Sequence, residues 1–202
     1  MRSDRGPRVR RWILVAAMVS AWGLAPRAES APAQLSKLGA GSKGTYRVFR
    51  DASGRFEIEY PTKDWRLPPS AGTSVAAFAR NDGRATLAVD YSKLAGQLAR
   101  SDIAYQTMKE VQLEDLKERR PQATEITSDL VETKAGRGAL IRYATVGATG
   151  PERAIQFSVP VGQFLYYIIA IASESVLSKN EEVLLHMIES FQAPASPPNP
   201  KN

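Results

Sequence analysis

One run constrains this chain more than any other: Gln163 to Ala172, QFLYYIIAIA, is apolar at both its odd and its even positions. Side chains on a strand alternate between two faces, so such a run has no face to give to water. It is predicted to be a central strand, covered above and below. The next residues supply a cover. From Glu174 to Gln192, Val176, Leu177, Asn180, Val183, Leu184, Met187, Ile188 and Phe191 recur at spacings of three and four, broken in character only by Asn180. That period predicts an amphipathic helix lying on the sheet.

The rest of the chain reads as partners for that strand. YRVFR (46–50) alternates, DASG offers a turn, and Phe56, Ile58 and Tyr60 alternate with Arg55, Glu57 and Glu59, which predicts a hairpin with one apolar face. Ser74 to Arg80 and Ala85 to Tyr91 flank NDGR, whose Asn81, Asp82 and Gly83 tolerate the positive φ of a tight turn. A helix-favouring block follows, with Ser101 or Asp102 as N-cap, Pro121 at its end, and Ala104, Met108 and Val111 on one side. Three further strands are expected over Glu125 to Thr133, Ala139 to Val146 and Ala154 to Val161, divided by KAGRG and GATGPE. Hairpin-length links between strands favour an antiparallel sheet with helices on its faces, an α+β fold.

The beginning of the chain reads as an address. MRSDRGPRVRR is followed by the apolar run Trp12 to Ala25 and then by AESAPA, the layout of a secretory signal peptide with cleavage after Ser30 or Ala33. The apolar run is shorter than the roughly 20 residues of a membrane-spanning helix, so no integral anchor is expected after cleavage. The general secretory route is favoured over twin-arginine export, because Val9 stands where that motif has Ser or Thr before Arg10 and Arg11. Residues 1–33 hold six arginines against Asp4 and Glu29, so only +2 of the net charge of +6 belongs to the rest. That balance gives no support to nucleic-acid binding. The chain has no cysteine, which excludes disulfides, a cysteine nucleophile and a lipid anchor on cysteine. Residues 34–45 read as a Gly/Ser/Lys linker, 46–192 as one domain and 193–202 as a proline-rich, disordered tail.

Candidate chemistry is sparse. His186 is the only histidine and flanks the apolar stripe of the last helix, where a boundary position suits it better than catalysis. One histidine without cysteine is a poor start for zinc or copper. Glu57 and Glu59 share a strand face and could bind calcium weakly or act as acid and base, but fit a solvated face opposite Arg47 or Arg50 better. GAGSKGT (39–45) resembles a phosphate loop only superficially, since Lys43 precedes Gly44 and a strand follows. Arg119 and Arg120 suit a helix end. No catalytic residue, metal ligand or cofactor is assigned.

YRVFRDASGRFEIEYPTKDW at one end of the domain, and the apolar strand, amphipathic helix and closing Ser-Phe-Gln at the other, resemble PsbP-like and Mog1-like domains over Tyr46 to Gln192. The resemblance implies an α/β/α sandwich around a central antiparallel sheet, and protein binding as the common theme. The shared positions are structural: Gly54 for the turn, Phe56, Ile58 and Tyr60 for the buried face, Pro61 to stop the ladder, Trp65 for the core's edge. The expectation is therefore an exported, non-catalytic protein-interaction domain of the periplasm or cell envelope, or one secreted further. The alternative is a small-ligand binder with an apolar pocket between sheet and helix, lined by Trp65, Tyr166 and Tyr167.

Overall fold

The computed structural model describes residues 33–34, 45–67, 75–96, 98–148 and 150–195. Apart from Ala33, the expected leader lies outside these residues, as do most of the linker and the last seven residues of the tail. In chain order the strands and helices are β1 (Ala33–Gln34), β2 (Tyr46–Arg50), β3 (Glu57–Pro61), β4 (Trp65–Arg66), β5 (Ala76–Arg80), β6 (Ala85–Lys93) and α1 (Asp102–Arg119). There follow β7 (Thr124–Thr133), β8 (Gly136–Gly147), β9 (Gly150–Val161), β10 (Phe164–Ser173) and α2 (Glu174–Ser190).

Eight strands form one sheet in the order β1-β7-β8-β9-β10-β6-β5-β4. Its pairings are antiparallel except for β1, which runs parallel to Val131–Glu132 of β7. The strand QFLYYIIAIA is central as expected, between β9 and β6. The turn between β5 and β6 is the NDGR segment, but only Gly83 takes a positive φ, 72°; Asn81 and Asp82 do not. Asp82 instead bonds Arg84 N–H through its carboxylate, 3.1 Å, and pairs with Arg80.

Alternation along β10 separates two layers. Tyr166, Ile168, Ala170 and Ala172 face α2 and are buried, in one cluster with Leu87 and Val89 of β6, Ile155, Phe157 and Val159 of β9, and Leu184, Met187 and Ile188 of α2. Phe191, at the C-cap of α2, is fully buried there between Phe56 and Tyr166, with ring centroids 5.6 and 5.3 Å away. The two-stranded β2–β3 hairpin lies beside α2 in the same layer. Its end is tied to the end of the domain: Glu57 and Gln192 exchange backbone hydrogen bonds of 2.8 and 2.9 Å, and Glu59 N–H donates to Ser190 Oγ at 2.9 Å.

The opposite face carries α1, whose N-cap Ser101 accepts from Ala104 N–H at 3.3 Å. Its inward ridge is Ala104, Met108, Gln112 and Leu116, an i, i+4 row, so Gln112 takes the buried place and Val111 is half-buried beside it. The α/β/α sandwich is thus present: among the described residues, α1 lies on one side and α2 plus the hairpin on the other.

Candidate interaction surface

The two faces are not covered equally. α1 lies over β7 and β8, at one side of the sheet. Of the β10 residues pointing toward α1, Leu165 is buried but Tyr167, Ile169 and Ile171 are only half-buried, whereas their neighbours pointing toward α2 are buried. The same holds for Ala88, Asp90 and Ser92 of β6 and for Gln156 of β9. The expectation that β10 is covered on both sides is therefore met fully on one face and half on the other, because a single helix cannot span a sheet of this width.

Register arranges the open half into two rows. Half-buried Tyr167 and Asp90 lie side by side across β10 and β6, with fully buried Ser158 of β9 closing that row, and Gln156, Ile169 and Ala88 form the next row. Tyr167 also packs against the Met108, Ala139 and Leu165 cluster under α1, which fixes its ring. Burial raises the Tyr167 hydroxyl pKa, Ser92 and Arg119 oppose the rise, and the charges of Asp115 and Asp90 add to it. The surface thus has an aromatic and aliphatic centre and a polar, mixed-charge rim, the composition of protein interfaces rather than of a metal or anion site.

Of the three aromatic residues expected to line a pocket, Tyr167 stands on this surface and the other two do not. Tyr166, its sequence neighbour, points through the opposite face, is buried, and donates from its hydroxyl to the carbonyl of Arg55 at 3.0 Å; burial pushes its pKa up to about 12. Trp65 is buried in that same cluster at the sheet's far edge. The alternation of β10 already places Tyr166 and Tyr167 on different faces. A groove of about 310 Å³ does open at the start of α2, but its lining contains none of the three. Its arginines are held by carboxylates: Arg153 by Glu125 at 2.7 Å and Glu174 at 3.0 Å, Arg142 by Glu181 at 3.5 Å.

The other singled-out residues have structural partners. Glu57 pairs with Arg50 at 2.9 Å, as the hairpin register requires. Glu59 turns to α2 instead, where its Oε2 lies 2.8 Å from His186 Nε2, and the Tyr46 ring covers the imidazole at 4.0 Å. Ser190 completes an apparent Ser, His, Glu set, yet its hydroxyl accepts from Glu59 N–H and donates to Met187 O at 2.8 Å, so it is committed to the helix end. Among the described residues no group of three or more acidic or histidine side chains is placed to hold a metal ion. Sequence reasoning missed a salt bridge of the β2–β3 turn, in which Asp51 receives Arg55 Nε at 2.6 Å and Nη2 at 2.7 Å while Arg55 Nη1 donates to Tyr91 Oη at 3.1 Å. Its signal was present: an acidic residue at the start of the turn and an arginine four positions on.

With this geometry in place, solved structures offer a comparison. LpqN of Mycobacterium tuberculosis, described as involved in cell envelope biogenesis, superposes with a TM-score of 0.54 at 11% identity, covering 82% of this chain and 100% of that protein. The cyanobacterial PsbP of Synechocystis, CyanoP, gives 0.51 at 11% identity over 77% of this chain and 96% of that one. The chain has the PsbP-like fold. The Ran-binding protein Mog1p of Saccharomyces cerevisiae aligns with the PsbP-like core at a TM-score of 0.48 and 11% identity, over 75% of this chain and 96% of its own. A Bacteroides thetaiotaomicron protein aligns at 0.48 and 16% identity over 75% of this chain, which spans about half of that protein, 49%. No family model and no curated protein matches the sequence. Among the described residues of the PsbP-like domain, no helix is long and apolar enough to cross a membrane.

Proposed function

We propose that this chain is an exported, non-catalytic domain that binds a protein partner in the periplasm or cell envelope, and that the partner seats on the half-open face of β6, β9 and β10. The observation that carries the reading is the unequal cover of the sheet: Tyr167 and Ile169 are half-buried where Tyr166 and Ile168 are sealed. A domain of this size gains stability by closing both faces, so an aromatic and aliphatic strip left open in its centre suits a contact made with another molecule. Export is supported by the leader-like layout of residues 1–33, and the envelope role stated for LpqN agrees with it.

The test is site-specific photocrosslinking in cells, with a benzophenone amino acid at Ile169 in the tagged full-length chain and, as control, at exposed Val48 on the hairpin. One recurrent protein adduct from position 169 but not 48, lost in the Tyr167→Ser background, is expected. Adducts from both positions alike, or none at 169 from folded and exported protein, would remove this face. Because β10 is central, each variant's melting curve accompanies the experiment; a fall of more than about 5 °C, the size expected from a core defect, would disqualify that variant and leave the Ile169 and Val48 pair to decide. A turnover activity abolished by one polar substitution would overturn the non-catalytic part.

The ligand-binding alternative moves to the groove at the start of α2, which is lined by ion pairs together with Tyr143, Ile155 and Leu177 and by none of Trp65, Tyr166 and Tyr167. A thermal-shift screen distinguishes it: a ligand raises the melting temperature, and Arg153→Ala removes the rise.

A further inference from the structure

Among the described residues, most of the buried polar side-chain atoms without a protein partner lie on the α1 side of the sheet, Glu189 Oε2 of α2 being an exception. Gln112 is 3% exposed and Ser158 fully buried, and among the described residues neither atom of the Gln112 amide nor the Ser158 hydroxyl has a hydrogen-bond partner. Gln112 lies between α1 and the sheet, and Ser158 stands on the same face of the sheet, on β9. Gln112 stands one turn from Met108, which packs on Ala139, and one turn from Leu116, which packs on Ile141. Ser158 is the direct neighbour of Ala139 across the β8–β9 ladder. The α1-facing residues next to Ile141 are polar as well, Ser128 on β7 and Gln156 on β9. The layer beneath α2, by contrast, is a continuous apolar cluster.

Unmet buried amides and hydroxyls are costly, and in folded proteins they are met either by protein or by ordered water, which settles where two to four polar groups converge. Gln112 offers two donors and an acceptor, and Ser158 a donor and an acceptor; both are neutral, so the seam has the chemistry of a water site and not of an ion site. We propose that ordered water occupies the seam between α1 and the sheet at Gln112 and Ser158, and that α1 is for this reason the layer that lifts first. Lifting α1 would extend the open face from β9 across β8. The inference concerns the helix alone and does not depend on which partner, if any, uses that face.

Hydrogen–deuterium exchange on the full chain tests it, comparing peptides of α1 with those of α2 and repeating the measurement on Gln112→Leu and Ser158→Ala. In the unaltered protein, α1 amides are expected to exchange at least about tenfold faster than those of α2, as a separate opening unit does. Gln112→Leu closes the seam with an apolar group of similar size, so it should slow exchange in α1, leave α2 unchanged and raise the melting temperature by about 2–4 °C. Equal exchange in the two helices of the unaltered protein would overturn the proposal, a result that no misfolded variant can obscure. Faster α1 exchange in Gln112→Leu with a lowered melting temperature would also overturn it, by showing that the amide is already satisfied within the protein.

Discussion

Asp51 and Arg55 hold the tip of the β2–β3 hairpin by a bidentate pair set against the core, and Arg55 reaches on to Tyr91, whose ring it also covers at 5.4 Å. The guanidinium, and then the backbone N–H of Arg55, hold the Asp51 carboxyl below its ordinary range against the opposing effect of burial. A carboxyl depressed on folding contributes stability above its unfolded pKa and loses it as pH falls through the folded value. Asp51→Asn should therefore cost about 1.5–3 kcal/mol near neutral pH, the size of a hydrogen bond to a charged group, and the gap should close in acid. Urea midpoints of both proteins at neutral pH and below the carboxylate range check the size and the sign. Phe191 tests the opposite kind of residue, one whose worth is packing alone. Fully buried between Phe56 and Tyr166, it should cost about 3–5 kcal/mol on replacement by Ala, measured by the same unfolding curves.

Among the elements, β8 depends on a glycine for close approach rather than for a turn. A methyl group added at Gly138 would lie 2.5 Å from the carbonyl oxygen of Ser158 and 2.6 Å from the Phe157 ring, both fixed in the neighbouring strand. Gly138→Ala should cost about 1–3 kcal/mol through overpacking, and more than the same change at Gly83 costs through its backbone angle alone; thermal melts of the pair decide this. Much at this scale was legible beforehand. The two-sided apolar run of β10 and the stripe of α2 could be read because burial on both sides, or along one stripe, leaves a mark in composition. α1 left a weaker mark: its buried ridge includes Gln112, a residue no apolar period would select. The open face left none at all. Tyr167 and Ile169 look like Tyr166 and Ile168 in a sequence, and what separates them is that α1 came to rest over β7 and β8.

Among the described residues of the whole molecule, one sheet face is sealed by α2 and the hairpin and the other is half-covered by α1, and the proposed partner site follows from that asymmetry. The seal has a history as well as a shape. The hairpin is the first substantial piece of the domain to be made, yet it joins α2 and the domain's closing residues, with Glu59 bonded to Ser190 across 131 positions of sequence. Contacts so distant along the chain form only after the loop between them is closed, and they slow folding. A chain emerging N-terminus first, from a ribosome or through a membrane pore, therefore carries Phe56 and Ile58 unsheltered until Phe191 arrives. The last residues of the domain act as its latch, and the interval before they appear is when this protein most needs a chaperone.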